Sequence, residues 1–484
     1  MTFARSLNAV FALIVAMVLT RLLEIDAYGQ YKKLWLVFAV TGPVIVASLV
    51  NTLYYRGGAG NNIRSVFWTA FILAGFYSLI AGGVGYFGAE KWADLFNAPD
   101  LAGVYRNFAL WMVIATFAGI GEPLFIIKKR HKWLLYYNVS YNIVEAAMII
   151  TPFAIGFPLK HVVLVMTIGP TLRSVFLFWF LFKEGGRFPG WSAIWQEMPV
   201  SLKYGLGIMA TSFVGMAVSE VDKWVIGRFF ESDYIFAVYA VGARRIPFIA
   251  ALTNSVSSSL VLQYSAEMKR GNYSNFLFSV KNITNRLFLV IVPLLVILFV
   301  FSEELMILVF QKYEASAPIF RIYLFNIMAT LLFPHSMILS MGMSQIQARI
   351  GSMELVFNIV LSILLVQWIG LYGPAIATLM GHLFYVGANM HYCKTHYHTR
   401  YRDFLPSRSV GYAIMLMPLF GYLCYYGKIA LSLWWSIPLS AILLALLYFY
   451  LFQHFSSLMG KPLLDTIRSN REKERQAKHY PDEY

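Results

Sequence analysis

Apolar segments long enough to cross a membrane recur along almost the whole chain. The first is the run from Ala4 to Leu23, and similar runs follow it with only short polar segments between them. A helix of about 20 apolar residues spans a hydrocarbon core about 30 Å thick. Because 59% of the 484 residues are hydrophobic and only 13% are charged, a water-soluble globule is excluded. The alternating pattern of a membrane barrel is absent, so we expect an all-α polytopic membrane protein.

The apolar pattern predicts 14 transmembrane helices. The predicted spans are 4–23, 34–55, 65–87, 104–127, 134–156, 159–182, 204–229, 234–264, 281–301, 316–342, 350–369, 373–393, 408–427 and 432–453. An even number of spans places both termini on one side, and the loops of that side hold most of the Lys and Arg residues, as at 128–132. By the positive-inside rule, both termini are cytoplasmic in a multi-pass protein of the cell inner membrane. The net charge of +15 therefore reflects the excess of Lys and Arg in the cytoplasmic loops, and no nucleic-acid partner is expected.

Two short motifs indicate an internal duplication. RLLEID at 21–26 ends the first predicted span and RFFESD at 228–233 ends the seventh; YNIV at 141–144 and FNIV at 357–360 lie in the fifth and eleventh spans. Both pairs are six spans apart, as expected for two pseudo-symmetric six-helix lobes. The arginine and the aspartate of each motif in the first pair are expected to be structural corners of the lobes at the outer face. These four residues are Arg21, Asp26, Arg228 and Asp233.

The duplication predicts five regions along the chain. The predicted regions are an N-lobe (1–182), a cytoplasmic linker (183–203), a C-lobe (204–393), an appended helix pair holding spans 13 and 14 (394–453) and a charged cytoplasmic tail (454–484). Duplicated helical lobes are typical of transporters in which the substrate binds between repeats.

Basic residues inside the predicted spans are candidates for substrate binding. A charge at mid-membrane depth costs a few kcal/mol, so it normally faces a polar cavity or a partner. Arg173 lies in span six, Arg244 and Arg245 precede Pro247 in span eight, and Lys33 opens span two. Arginine suits phosphate and diphosphate groups, so these residues predict a substrate that is anionic at one end. Two alternatives remain: Arg173 forms a structural ion pair with Glu145, and the lysines at 32–33 only anchor span two at the headgroups.

Three acidic residues are candidates for ion coupling. They are Glu145 in span five, Glu122 in span four and Asp222 in span seven. A carboxyl group in apolar surroundings is suited to exchange a proton or a cation. Glu220 and Lys223, three residues apart on one helix face, are interpreted as a structural pair.

Other chemistry is not indicated by the sequence. GGAGNN at 57–62 lacks the Gly-Lys-Ser/Thr ending of a phosphate-binding loop, and the short loops leave no place for a catalytic domain. His391, Cys393, His396 and His398 are interpreted as interfacial anchors rather than as metal ligands. We therefore expect a transporter and not an enzyme, with no cofactor and no metal.

The chain resembles the multidrug/oligosaccharidyl-lipid/polysaccharide (MOP) exporter superfamily, in its polysaccharide-flippase branch of the O-antigen type. The resemblance rests on TRLLEIDAYGQY at 20–31, VYAVGARRIPFIAALTNSVSSSLVLQYSAEMKRG at 238–271 and NIVLSILLVQWIGLYGPAIATLMGHL at 358–383. It is also similar in span count to the lipid II flippases. In those relatives, segments like DAYGQYKKL and GARRIP bring to the cavity a lysine at the position of Lys33 and an arginine at that of Arg244.

The resemblance implies a flippase that moves a polyprenyl-diphosphate-linked oligosaccharide across the inner membrane by alternating access, for surface polysaccharide biosynthesis. It implies that the lipid tail stays in the bilayer beside spans 13 and 14. Membrane lipids, a polysaccharide polymerase and other assembly proteins are the implied partners. The stretch 13–18 is purely apolar and lacks the arginines of the lipid II flippases, which argues against lipid II as the substrate.

Two other functions are weighed against this one. A multidrug or cation antiporter of the same superfamily would share the lobes, but typically has twelve spans and an acidic cavity. A membrane polysaccharide polymerase or ligase would require a large outer loop with catalytic residues, which the predicted topology does not provide.

Overall fold

The described part of the chain is helical, as the apolar pattern predicts. The computed structural model describes residues 2–58, 63–184, 186–244, 246–271, 273–430 and 433–454. Within these ranges it contains α-helices, three short 3₁₀ helices and no β-strand. The all-α prediction is confirmed. Arg245 and residues 455–484 of the predicted tail lie outside the described residues.

Twelve α-helices form the described part of the amino-terminal half. Their bounds are α1 (Thr2–Leu22), α2 (Ile25–Ala39), α3 (Gly42–Gly58), α4 (Ile63–Phe87), α5 (Ala89–Leu95), α6 (Ala102–Ala118), α7 (Gly121–Ile127), α8 (His131–Ala154), α9 (Leu159–Met166), α10 (Ile168–Glu184), α11 (Trp191–Phe229) and α12 (Asp233–Gly242).

Eleven more α-helices follow among the described residues of the carboxyl-terminal half. Their bounds are α13 (Pro247–Lys269), α14 (Ser274–Val300), α15 (Ser302–Phe310), α16 (Ala317–Thr330), α17 (Pro334–Ser340), α18 (Ser344–Ile369), α19 (Gly373–Tyr397), α20 (Tyr401–Phe404), α21 (Arg408–Met415), α22 (Met417–Ala430) and α23 (Leu433–His454). The 3₁₀ helices are Pro99–Leu101, Glu314–Ser316 and Gly370–Tyr372.

Eight helical segments of the described residues are long and apolar enough to cross a membrane, and a ninth is added if a pair bent by 44° counts as one span. The eight are Ile25–Gly57, Ile63–Phe87, Pro99–Ile127, Leu159–Lys183, Trp191–Phe229, Ser274–Val300, Ser344–Tyr397 and Ser409–Ala430, and the bent pair is Glu314–Thr330 with Pro334–Ser340. The multi-pass prediction is thereby confirmed, while the count of 14 and the lobe layout stay predictions.

Several predicted spans contain breaks. Span two is divided between α2 and α3, and span four is divided by Gly119 and Ile120 between α6 and α7. Within span eight, one helix ends at Gly242 and the next begins at Pro247. The residue before a proline is disfavoured in the α conformation, and proline suits the first helical position, so Pro247 starts a new helix. The expectation that Arg244 lies within one continuous helix is wrong.

The contacts divide the chain into two units. Unit 1 comprises Met1–Leu252, Glu303–Tyr323 and Ala348–Tyr385, and unit 2 comprises Thr253–Ser302, Leu324–Gln347 and Val386–Tyr484. In unit 1 the core includes the fully buried rings of Tyr28, Tyr105 and Trp111. In unit 2 the Oδ1 of Asn285 accepts a hydrogen bond from the backbone N–H of Ser407 at 2.7 Å, which fixes the segment before α21 against α14.

Helices α2 and α12 of unit 1 approach each other closely at Gly29. A Cβ atom at Gly29 would lie 2.2 Å from the backbone oxygen and 2.9 Å from the backbone carbon of Asp233. Both atoms belong to the first turn of α12, so no side-chain rotation can relieve the clash. Only glycine fits at this contact.

Gly29→Ala is therefore expected to destabilise the protein by about 1–3 kcal/mol, since overpacking outweighs the better helix propensity of alanine. The control is Gly75→Ala in α4, where a Cβ meets nothing within 4 Å; that change should be neutral or stabilising by up to about 1 kcal/mol. The unfolding midpoint of the detergent-solubilised protein measures both. Equal midpoints for the two variants would contradict the close contact.

Helix α11 is the longest described helix of the chain and is hydrogen-bonded to α3 at two points. Its 39 residues correspond to about 58 Å at 1.5 Å per residue, well beyond the hydrocarbon thickness. Arg56 donates two hydrogen bonds of 2.7 Å to the Glu197 carboxylate, and Ser48 donates one of 2.7 Å to the Gly205 carbonyl. Residues 191–203 of the predicted linker are thus helical and continuous with span seven.

Candidate functional site: a basic cavity in unit 1

A cavity of about 800 Å³ lies within unit 1. Residues of α1, α2, α3, α6, α8, α10, α11 and α12 line it, together with Gly119, Ala243 and Arg244. Part of its wall is an aromatic cluster in which the ring centroids of Trp35 and Trp111 are 4.9 Å apart and those of Phe38 and Trp111 are 4.8 Å apart. A space of this size accommodates a drug-sized ligand or the polar portion of a larger one.

Basic side chains outnumber acidic ones in the lining. The charged lining residues are Lys32, Arg173, Lys223 and Arg244, against Glu145 and Glu220. Lys223 is paired with Glu220, with 2.9 Å between Nζ and Oε2. The remaining lining has two arginines and a lysine for one carboxyl group, which favours an anionic ligand.

Arg173 on α10 lies at one end of the cavity, against the side chains of α8. The central guanidinium carbon is 4.6 Å from the ring centroid of Tyr137 and 4.2 Å from that of Tyr141. Its Nε is buried and has no hydrogen-bond partner. Glu145, one turn beyond Tyr141, also lines the cavity. No ion pair within 4 Å joins Arg173 and Glu145 among the described residues, but their opposite charges attract each other across the cavity lining.

Arg244 lies in the break between α12 and α13. Its Nη2 donates a hydrogen bond to the Tyr28 hydroxyl at 3.1 Å, and its guanidinium carbon is 5.2 Å from the ring centroid of Phe310. A residue in a helix break can point into a cavity without the constraint of helical periodicity. This placement explains how a charge next to Pro247 reaches the lumen.

The two adjacent lysines of α2 have different surroundings. Lys32 lines the cavity. Lys33 does not: it is fully buried, its Nζ is 2.6 Å from Oδ1 of Asp233, and it donates a hydrogen bond of 2.9 Å to the Phe96 carbonyl. Successive residues on a helix point about 100° apart, and here Lys32 is directed to the lumen while Lys33 is directed to Asp233. The structure therefore places Lys32, and not Lys33, in the cavity.

Two of the predicted coupling acids lie outside the cavity lining. Asp222 is fully buried, and its Oδ2 accepts hydrogen bonds from the Tyr239 hydroxyl at 3.0 Å and from the Tyr323 hydroxyl. Glu122 is half-buried in the first turn of α7. Glu145 is the predicted coupling acid that the structure brings together with Arg173 and Arg244. The predicted pairing of Glu220 with Lys223 is confirmed, and this pair also lines the cavity.

The duplicated motifs occupy equivalent places in the helix order. Each begins at the end of one helix and reaches the first turn of the next, from α1 to α2 and from α11 to α12. Asp26 and Asp233 stand in those first turns, where a negative charge stabilises the helix N-terminus. Arg21 donates to the Leu308 carbonyl at 3.0 Å, and Arg228 to Oδ1 of Asn97 at 3.4 Å. The two arginines thus donate hydrogen bonds to these partners rather than to the acids of their own motifs.

Residues 18–318 match the family described as polysaccharide biosynthesis protein. The fold is similar to that of the lipid II flippase MurJ in an inward closed conformation, with a TM-score of 0.71, 14% identity, and coverage of 96% of this chain and 99% of that chain. It is also similar to the inward-facing form of a multidrug resistance MATE family transporter of the MOP superfamily, with a TM-score of 0.56, 14% identity, and coverage of 81% and 94%.

A third similar structure is the Vibrio cholerae MATE transporter VcmN in the bent form, with a TM-score of 0.54, 14% identity, and coverage of 83% of this chain and 97% of that one. No curated protein sequence gives a match to the chain. At these identities the structural likeness establishes the fold, and the family match covers more than half of the sequence. The chain belongs to the polysaccharide biosynthesis protein family.

Proposed function

We propose that this protein is a flippase that moves a polyprenyl-diphosphate-linked oligosaccharide from the cytoplasmic to the outer leaflet of the inner membrane, for surface polysaccharide biosynthesis. The family match and the MurJ-like fold support a role in handling a lipid-linked sugar. The observation that carries the proposal is the basic cavity, whose described lining contains Arg173, Arg244 and Lys32 together with Glu145, while the other lining acid, Glu220, is paired with Lys223.

In the proposed mechanism the diphosphate enters the cavity first. Arg173 and Arg244 donate charge-assisted hydrogen bonds to its oxygens, and Lys32 adds a third basic group. Aromatic and polar side chains of the lining, such as Trp35 and Asn142, contact the sugar. An alternation between inward-open and outward-open states then exposes the headgroup to the other leaflet.

The proposal includes the predicted topology. It assumes 14 spans, a six-helix lobe at each of 1–182 and 204–393, an appended pair within 394–453, and cytoplasmic termini. The equivalent positions of the RLLEID and RFFESD motifs support the duplication. Among the acids, we assign ion coupling to Glu145 because it shares the cavity with the arginines; Glu122 and Asp222 lack that placement.

Arg173→Ala and Arg244→Ala test the proposal. Each removes charge-assisted hydrogen bonds worth about 1.5–3 kcal/mol, so each should slow transport by roughly 10- to 100-fold. The measurement uses proteoliposomes that hold a polyprenyl-diphosphate-linked disaccharide with a fluorescent label, and an external quencher reports its transfer between leaflets. Arg106→Ala is the control, since Arg106 is exposed, pairs with Glu90 at 2.5 Å and is absent from the cavity lining.

Wild-type transfer rates in both cavity variants, at equal protein amounts, would remove the arginines from the mechanism. Transport of a cationic dye instead of the lipid-linked sugar would identify the protein as a drug antiporter.

A further inference from the structure

A second, smaller cavity of about 210 Å³ lies between α8 and α10 in unit 1. Half of its ten lining residues are aromatic, among them Trp133, Tyr136, Tyr137 and Phe176. Its apolar character and small volume suit part of a hydrocarbon chain rather than a sugar. We call this space the α8/α10 groove.

The groove and the basic cavity share two residues. Tyr141 and Arg173 line both spaces. Because Tyr137 and Tyr141 contact the guanidinium group of Arg173 through their rings, the arginine stands where the aromatic space meets the basic one. Its Nε is buried at that junction without a hydrogen-bond partner.

The rim of the groove is exposed on the surface of the protein. Tyr136 is 65% exposed, Leu172 is 55% exposed and Trp133 is 44% exposed. Leu172 belongs to the membrane-length segment Leu159–Lys183, where exposed large apolar side chains are expected to face lipid. The groove therefore provides a path from the lipid phase to Arg173.

We propose that the α8/α10 groove holds the first isoprenoid units of the lipid-linked substrate while Arg173 holds its diphosphate. In a polyprenyl diphosphate the hydrocarbon chain is bonded directly to the phosphate. A chain whose phosphate contacts Arg173 must therefore begin within a few bonds of that side chain, and the groove is the aromatic space that begins there. This assignment rests on the proposed function, and it places the start of the lipid tail at α8 and α10 instead of beside spans 13 and 14.

The test compares diphosphates that differ in chain length. The protein is placed in nanodiscs of zwitterionic lipid, and its affinity is measured for inorganic diphosphate, dimethylallyl diphosphate and geranyl diphosphate. If the groove accepts isoprenoid units, geranyl diphosphate should bind the wild-type protein at least about tenfold more tightly than inorganic diphosphate, since apolar surface is buried.

Leu172→Trp fills the groove, and Tyr136→Ala removes part of its wall. Leu172→Trp should abolish the gain from chain length, Tyr136→Ala should reduce it, and both should leave the affinity for inorganic diphosphate unchanged. Val175→Trp is the matched control, because Val175 is 60% exposed on the same helix and lines neither cavity. It should retain the full gain.

The outcomes separate the two proposals. A gain from chain length that survives Leu172→Trp overturns the groove assignment. The groove assignment is also overturned if the affinity of the wild-type protein does not increase with chain length while Arg173→Ala still weakens the binding of inorganic diphosphate. In that case the proposed function stands. Native mass spectrometry tests whether a membrane lipid occupies the groove instead. A phospholipid that stays bound in the presence of geranyl diphosphate, but is lost in Leu172→Trp, would be that occupant and would also overturn the assignment. If Arg173→Ala does not affect inorganic diphosphate, both proposals fail.

Discussion

Replacing Lys33 by methionine is expected to lower the free energy of unfolding by about 3–5 kcal/mol. The variant leaves Asp233 without the ammonium group that lies 2.6 Å from its Oδ1, and Lys33 is completely buried. Removing one partner of a buried pair is costly because the other charge stays in a medium that solvates it poorly. Gln30, whose Nε2 donates to Oδ2 of Asp233 at 2.9 Å, compensates only in part. A denaturant titration in detergent micelles, followed by circular dichroism, measures the loss.

Two further variants separate charge from packing. Lys33→Met combined with Asp233→Asn should recover most of the stability, since no unpaired charge remains. Lys312→Met removes an exposed pair in which Nζ is 3.0 Å from Glu24 Oε1, and it should cost only about 0–1 kcal/mol. Equal losses for Lys33→Met and the double variant would show that packing of the lysine stem, and not the buried charge, is responsible.

Asp222→Leu is expected to cost about 2–6 kcal/mol. The carboxylate accepts hydrogen bonds from the hydroxyls of Tyr239 and Tyr323, and the variant leaves two buried donors without this acceptor at about 1–3 kcal/mol each. Asp222 is also 3.7 Å from the ammonium group of Lys223, measured from Oδ1. The effect is measured as the unfolding free energy of the purified variant.

The isosteric change Asp222→Asn keeps one acceptor oxygen and is the matched comparison. It should lose much less stability than the leucine variant and should transport the lipid-linked probe at close to the wild-type rate. If Asp222→Asn is fully stable yet transports nothing, the carboxylate charge acts in coupling, and the interpretation of Asp222 as a structural acceptor fails.

Much of the fold follows from the apolar pattern, but the helix breaks do not. Apolarity continues across Gly119 and Thr167, where helices end, because the bilayer requires apolar side chains whether or not the helix is continuous. Glycine and proline are the local signals of such breaks. At Pro247 the signal was in the sequence, yet the length of the apolar run favoured one unbroken span.

The sequence is sufficient to predict those residues of the candidate site that are recognisable by their charge alone. Arg173, Arg244 and Glu145 are charges within apolar runs, and all three line the cavity. The choice between Lys32 and Lys33 depends on the rotation of α2, which is set by the contact of Gly29 with Asp233 and has no local signal. The α8/α10 groove was not foreseen, since Trp and Tyr at helix ends are usually interfacial anchors.

The long helix α11 connects the basic cavity with the contact between Ser48 and Gly205. Lys223 and Glu220 line the basic cavity near one end, while Gly205 meets Ser48 some 27 Å away along the axis, at 1.5 Å per residue. A tilt of about 5° around Lys223 displaces Gly205 by roughly 2 Å over that length. Such a displacement breaks a hydrogen bond of 2.7 Å. A small reorientation of α11 at the cavity is therefore expected to open the contact between Ser48 and Gly205.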